Sequence, residues 1–298
     1  MEPEIRQYSA VVIGGANMDI CGSPAGKLIA EDSNPGTVSV RPGGVGRNIA
    51  HNLCLLGLDV SLITALGGDI FSAGLLESCR ALGMDMRMAR SLPERRSSTY
   101  LYVTDESGDM HVGISDMDIV ESVSPEWLSQ HIARINRADA VVIDANLPEA
   151  SIAYLAANCT APMIADPVST VKALRLKSIL PRLRAIKPNA LEAECLTGES
   201  DPERAALALV DSGVQRVFIS LGAQGMIAAD KKELLRLPGL ATRVVNSTGA
   251  GDAATAAIVL AGIRGMSLRD TALLAQKAGA VTCRSESANA PELANILD

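Results

Sequence analysis

A chain of 298 residues is long enough for one large α/β domain or two smaller ones and can bury a substantial core. Hydrophobic residues make up 48% and charged residues 20%, as in a soluble globular protein, while aromatics at 2% leave the core to Ala, Val, Ile and Leu and supply no base-stacking platform. The net charge of -7 argues against a nucleic-acid or anionic membrane surface as partner, so any phosphate must be held locally by backbone amides and an ion.

In chain order, the segment 1–7 is acidic, and the apolar run behind it is too short for a signal peptide or membrane span, which predicts a cytoplasmic protein. Six cysteines, at 21, 54, 79, 159, 195 and 283, show no Cys-x-x-Cys pairing or zinc-finger spacing, so reduced, buried thiols are expected. Residues 10–15 form a continuous apolar run stopped by glycines, the pattern of a buried parallel strand. Asn17 and Asp19 lie just past its end, where ligands sit in open α/β sheets; a simple turn is the other reading. Residues 32–36 read as a turn and 38–42 as a short strand leading into Gly43-Gly-Val-Gly-Arg-Asn48. Val45, Ile49, Leu53 and Leu56 then recur at helical spacing until Gly57, which makes a glycine-rich helix start with Asn48 and Asn52 on one face. A buried strand over 60–66 and a helix from Gly67-Gly-Asp69 to Leu82 continue the alternation.

The pattern changes at 98–103 and 110–114, which flank a polar loop and predict a β-hairpin. With the strand near Val38 it suggests a small sheet standing off the main one, suited to a lid, to a dimer surface, or to both. From Ala140 the rhythm resumes, with strands predicted at 140–144, 162–166, 185–189 and 216–220, and with polar residues Asn146, Asp166, Asn189 and Ser220 at their ends. Gly222 and Gly225 form a turn, and 225–229 with 233–237 form a hairpin. Thr248-Gly-Ala-Gly-Asp252 then opens into an Ala-rich helix. Free amides at such a start attract anions, and Asp252 there is either a helix cap or a reactive base.

Walker A and Gly-x-Ser-x-Gly motifs are absent, and three scattered histidines offer neither a triad base nor a zinc site. Gly249-Ala-Gly-Asp-Ala-Ala254 loosely fits a dinucleotide fingerprint, but it lies near the end of the chain, and its Asp would repel a pyrophosphate without a metal. Phosphoryl transfer is what survives: amides at a helix start hold the phosphate while an adjacent carboxylate takes the proton of an attacking hydroxyl. Asn189 and Glu192, three apart on a first helical turn, suit the waters of a Mg²⁺ ion and equally suit a capping box.

Gly43-Gly-Val-Gly-Arg-Asn-Ile-Ala, Asn189-x-x-Glu192, Ser220-Leu-Gly-x-x-Gly225 and Thr248-Gly-Ala-Gly-Asp252, in this order, resemble the ribokinase-like (PfkB) family of carbohydrate and nucleoside kinases. The resemblance implies a three-layer α/β/α sandwich, with a mostly parallel sheet, as one domain over 1–298 and lid strands inserted at about 20–42 and 97–118. It implies ATP and Mg²⁺ as cofactors, Asp252 as the base, and Gly249, Ala250 and Gly251 as the anion hole. Asn17, Asp19, Gly43, Gly44 and Asn48 would hold ribose hydroxyls, with Asn146 as another sugar contact. Asn189 and Glu192 would position Mg²⁺ and phosphate, while Ser220, Gly222, Gly225 and Thr248 would serve ATP.

Within the family, Asp32-Ser-Asn-Pro-Gly, Ile114-Ser-Asp-Met-Asp-Ile and Asp166-Pro-Val-Ser resemble the branch that phosphorylates the 5′-hydroxyl of pseudouridine. Ser33, Thr99 and Asp116 are then candidates to face the uracil ring, and Lys172 is either a further contact or a solvated lysine. A catalytically silent sensor would be the non-enzymatic counterpart. A homodimer through the lid sheet is expected. Cation-activated relatives carry an acidic residue where Asn246 stands, and its neutral amide leaves dependence on potassium open.

Overall fold

The computed structural model describes residues 8–297, and the acidic segment 1–7 lies outside them. The strands are β1 (Ser9–Ile13), β2 (Asn17–Pro24), β3 (Gly36–Gly43), β4 (Asp59–Ile63), β5 (Ala65–Leu66), β6 (Arg90–Ser91), β7 (Thr99–Thr104) and β8 (Met110–Asp116). They continue as β9 (Ala140–Asp144), β10 (Met163–Asp166), β11 (Ala185–Ile186), β12 (Arg216–Ser220), β13 (Met226–Asp230) and β14 (Leu234–Leu237). Eight of them form one sheet in the order β14-β13-β12-β11-β10-β9-β1-β4. Its strands from β12 to β4 run parallel, and the β13-β14 hairpin completes it antiparallel.

The apolar runs become strands buried on both faces because alternate side chains enter two different cores. Val11, Ile13, Val141 and Ile143 pack with the helices Glu149–Asn158, Ala190–Thr197 and Pro202–Asp211. Ala10, Val12, Ala140 and Val142 pack with the helices Val45–Leu55, Ala250–Ile263 and Leu268–Cys283 on the other side. Helices therefore cover both faces of a mostly parallel sheet. In Ala250–Ile263 every residue from Asp252 to Ala261 is buried, since small side chains let the helix sit closely between its neighbours. That burial fixes the helix start rigidly at the carboxyl edge of the sheet.

A second sheet, in the order β3-β2-β7-β8, stands beside that edge. Asn17 and Asp19 belong to its strand β2, so the turn reading past β1 gives way to extended backbone. None of the six cysteines is paired, but only Cys79 and Cys159 are buried; Cys21, Cys54 and Cys283 are half-buried and Cys195 is exposed, contrary to the expectation of buried thiols. Among the described residues no helix is long and apolar enough to cross a membrane.

Candidate active site

The loop before Asp252 turns on Gly249, whose φ of 82° is left-handed; a Cβ there would stand 2.1 Å from the carbonyl oxygen of Ala288. The first helical bond runs from Ala253 N–H to the Gly249 carbonyl at 2.9 Å, so the N–H groups of Gly251 and Asp252 lie ahead of the ladder. Such an open helix start is built to receive an anion.

Asp252 is buried, and its Oδ2 accepts from Asn48 Nδ2 at 2.9 Å. Burial, and then the nearby carboxylate of Asp166, push its pKa up to about 7, with Asn48 and Lys187 pulling the other way. A carboxyl titrating there is matched to accepting a proton from a hydroxyl near neutral pH. The cap reading gains no support, because no side-chain cap bond exists at this helix start.

Asn17, Asp19, Gly44, Asn48, Asn146, Lys172, Thr248, Gly249 and Asp252 line one cleft of about 700 Å³. Asn17 Nδ2 donates to Asp19 Oδ1 at 2.5 Å, which orients the carboxylate. Gly43 leaves room for that carboxylate, since a Cβ at 43 would lie 2.0 Å from Asp19 Oδ2. Burial raises the Asp19 pKa, against the bond from Asn17 and the charge of Arg47. Asn52, expected beside Asn48, accepts instead from Asn289 Nδ2 at 2.9 Å and does not line the cleft.

Asn146 is less free than a simple sugar ligand. Its Nδ2 donates to Asp144 Oδ2 at 3.0 Å and its Oδ1 accepts from Lys172 Nζ at 2.7 Å. Lys172 is thereby drawn to the cleft wall, and burial lowers its pKa. Asp144, which the sequence reading passed over as a strand end, is fully buried. Its Oδ2 also accepts from the backbone N–H groups of Gly15 and Gly46, both at 2.8 Å, and its Oδ1 from that of Asn146 at 2.9 Å. One carboxylate thus ties the end of β1, the glycine-rich helix start and Asn146 together.

Three residues assigned to the ring do not line the cleft. Strand register places Thr99 opposite Met18 and Asp116, whereas Tyr100 stands opposite Asp19 and Ser115. Directly paired residues share a face, so Tyr100 and Ser115 reach the cleft while Thr99 and Asp116 turn away. Asp116 instead lies 3.5 Å from Arg96. Ser33 is exposed in the β2-β3 connection, its N–H bonded to Asp32 Oδ1 at 2.7 Å.

On the other side of β10 lie the residues assigned to the nucleotide. Asn189 and Glu192 form a capping box: Asn189 Oδ1 accepts from the Glu192 N–H at 2.9 Å, and Glu192 Oε2 accepts from the Asn189 N–H at 2.8 Å. Asn189 pairs with Ser220 in an isolated parallel bridge, and Gly222 and Gly225 adopt φ of 58° and 104° in the turn beyond. Burial raises the Glu192 pKa, Asp166 adding to it and Lys187 opposing. Among the described residues no cluster of three or more His, Cys, Asp or Glu could hold a metal unaided. The amide of Asn189 and the carboxylate of Glu192 are oxygen donors of the kind that suit a divalent cation which keeps most of its waters and is shared with phosphate oxygens. Asn246 is already engaged. Its Oδ1 accepts from the Thr248 N–H at 2.9 Å, its Nδ2 donates to the Glu286 carbonyl at 3.3 Å, and Arg41 donates to that same carbonyl at 3.1 Å.

The pfkB family carbohydrate kinase model matches residues 7–295. The chain belongs to the pfkB family of carbohydrate kinases. As a member it is a ribokinase-like sugar or nucleoside kinase, a phosphotransferase with an alcohol group as acceptor. It is 35% identical to a pseudouridine kinase of Escherichia coli (strain K12), over 96% of this chain and 95% of that one. It is 26% identical to a guanosine-inosine kinase of Exiguobacterium acetylicum, over 96% and 98% of the two chains. A carbohydrate kinase structure from Agrobacterium tumefaciens superposes with a TM-score of 0.84 at 28% identity, covering 97% of this chain and 96% of that one. Each of these relatives is matched over nearly its whole length.

Proposed function

We propose that the chain transfers the γ-phosphate of ATP to the 5′-hydroxyl of pseudouridine. The observation that carries this reading is the meeting, in one cleft, of a buried carboxylate at an open helix start with Asn17, Asp19 and Asn48. The ribose hydroxyls bind to Asp19, Asn17 and the backbone at Gly43 and Gly44, which points the 5′-hydroxyl at Asp252. Asp252 takes the hydroxyl proton as the oxygen attacks the γ-phosphorus and the bond to the β-phosphate oxygen breaks to release ADP, and the amides of the Gly249–Gly251 turn hold the charge that develops on the phosphoryl oxygens. Asn189 and Glu192 would hold Mg²⁺ through water, and the ion would neutralise charge on the phosphate chain. The turn from Ser220 through Gly222 to Gly225 carries the nucleotide.

The 35% identity to a pseudouridine kinase over nearly the full chain supports the choice of nucleoside. In pseudouridine the ribose is joined to ring carbon 5, so N1 carries a hydrogen that uridine lacks, and Ser115 and Asp118 on the cleft wall offer acceptors for it. Lys172 lies on the same wall and suits a ring carbonyl. ATP consumption measured with pseudouridine, uridine, guanosine, adenosine, ribose and fructose 6-phosphate tests the assignment. Pseudouridine is expected to have the highest kcat/KM. Equal or better turnover of uridine would remove the assignment to pseudouridine while keeping that of a kinase.

The enzyme works as a cytoplasmic homodimer joined through the outer face of the lid sheet. Val38, Val40, Leu101, Val112 and Ile114 are exposed there, and the register Ile20–Val40, Ile20–Leu101 and Leu101–Ile114 makes one contiguous apolar surface. Ile114→Lys places a charge in its centre. Light scattering is expected to give twice the chain mass for the unaltered protein and the single chain mass for the variant; an unaltered protein that runs as a monomer would refute the dimer.

A further inference from the structure

In the connection that follows β10, Ser169 N–H donates to the Pro167 carbonyl at 2.7 Å, which closes a three-residue turn around Val168. Val168 has a φ of 67°. A branched side chain crowds its own backbone in that left-handed region, so the turn is strained. The other non-glycine residue with positive φ, among the described residues, is Glu31 in the exposed β2-β3 connection. Val168 is instead half-buried, its N–H held by Asp166 Oδ1 at 3.0 Å, and it lines the cleft.

This turn and the root of the lid converge on Asn146. Ser169 Oγ accepts from the Lys172 N–H at 3.4 Å and starts the short helix Thr170–Ala173, from which Lys172 Nζ reaches Asn146 Oδ1. From the lid comes Met117, between the cleft-lining Ser115 and Asp118; its Cε and Asn146 Nδ2 lie 2.9 and 2.8 Å from where a Cβ on Gly15 would be. Met117 and Val168 pack against the same hydrophobic core. Among the residues that line the cleft, only these two and Val45 have aliphatic or thioether side chains, and Val45 follows Gly44 on the ribose side. The neighbouring Ser115, Asp118 and Lys172 can bond the edge of a pyrimidine, whereas its faces call for apolar surface.

We propose that Val168 is a specificity-determining residue: the strained turn holds its isopropyl group in the cleft, where it and Met117 form the apolar seat of the nucleobase. Glycine would relax the backbone there but leave no wall. The inference rests on the chain being a nucleoside kinase.

The test compares pseudouridine with free ribose, followed as a substrate or as a competitive inhibitor, in the unaltered enzyme, Val168→Ala and Val168→Gly, together with the thermal melting of each. Both variants are expected to lose about tenfold in kcat/KM for the nucleoside, carried mainly by KM, while ribose, which has no base to seat, changes little. Val168→Gly is expected to melt higher than Val168→Ala, the reverse of the usual order, because glycine alone relieves the left-handed turn. Should Val168→Ala fail to fold, Val168→Gly still gives the comparison of substrates. Equal losses on nucleoside and ribose, or no loss on either, would overturn the seat, and a glycine variant that melts below the alanine one would overturn the strained turn. An unaltered enzyme that prefers ribose to pseudouridine, uridine, adenosine and guanosine would remove the nucleoside reading and the seat with it. A nucleoside preference that survives undiminished in both variants would remove the seat alone.

Discussion

Asp252→Asn is expected to lower kcat by about 10² to 10⁴-fold while KM for the nucleoside changes little, because a positioned general base contributes that much to rate and the amide keeps the shape of the carboxylate. With the carboxyl pKa near 7, kcat/KM of the unaltered enzyme should fall as pH drops through 7, since the protonated form cannot accept the hydroxyl proton. The stability effect has the opposite sense. Burial raises the Asp252 pKa from 3.8 to about 7, so the folded state binds the proton more tightly than the unfolded chain. Its contribution to stability is therefore lost as pH rises from about 4 through 7. At pH 8 the Asn variant should accordingly melt at least as high as the unaltered protein. A variant that keeps near-normal kcat would remove Asp252 from the chemistry. One that melts far lower would show that the carboxylate is needed for the fold.

Asp144→Ala is expected to be among the most damaging single changes, though Asp144 is given no contact with substrate. It leaves the N–H groups of Gly15, Gly46 and Asn146 buried without the acceptor they now share. Each unsatisfied buried donor costs about 1–3 kcal/mol, so the sum approaches the whole stability of a typical domain, about 5–15 kcal/mol. Chemical denaturation should show a large loss of midpoint or no cooperative transition. Asp144→Asn should be milder but still damaging, because its NH₂ group faces donors where an oxygen now accepts. If Asp144→Ala unfolds within about 1 kcal/mol of the unaltered protein, the carboxylate does not hold the site together.

Much of the architecture was legible because buried parallel strands are written as short apolar runs that end abruptly. Val141 to Ile143 and Val217 to Ile219 are fully buried, as those runs require. The two glycine-rich helix starts were equally readable, since few residues other than glycine tolerate the turn at Gly249 or the approach of Asp19 to Gly43. Alternation in the lid strands separated Thr99 and Leu101 from Tyr100 and Tyr102, yet a period of two does not say which set faces a ligand. Only pairing with Asp19 decides that, and it chooses Tyr100 and Ser115. Asn189 and Glu192 show a different limit: a capping box and a site for hydrated Mg²⁺ have the same sequence signature, and the capping bonds do form.

Asp144 and Lys187 were missed because both close strands that otherwise read as apolar. A charged residue ending a fully buried strand was the available signal. Such a residue must find partners inside the protein. Here the partners are the backbone amides of two glycine turns for Asp144, and Asp166 beside the anion hole for Lys187.

Transfer to the 5′-oxygen, with Asp252 as the acceptor of its proton, is tested most directly by the proton-coupled phosphorus NMR spectrum of the product formed from ATP and pseudouridine. A single phosphomonoester triplet, split by the two 5′ methylene protons, is expected to build up with the unaltered enzyme and at least about 10²-fold more slowly with Asp252→Asn. A doublet, which marks a phosphate on a secondary ribose carbon, or release of inorganic phosphate alone, would contradict it.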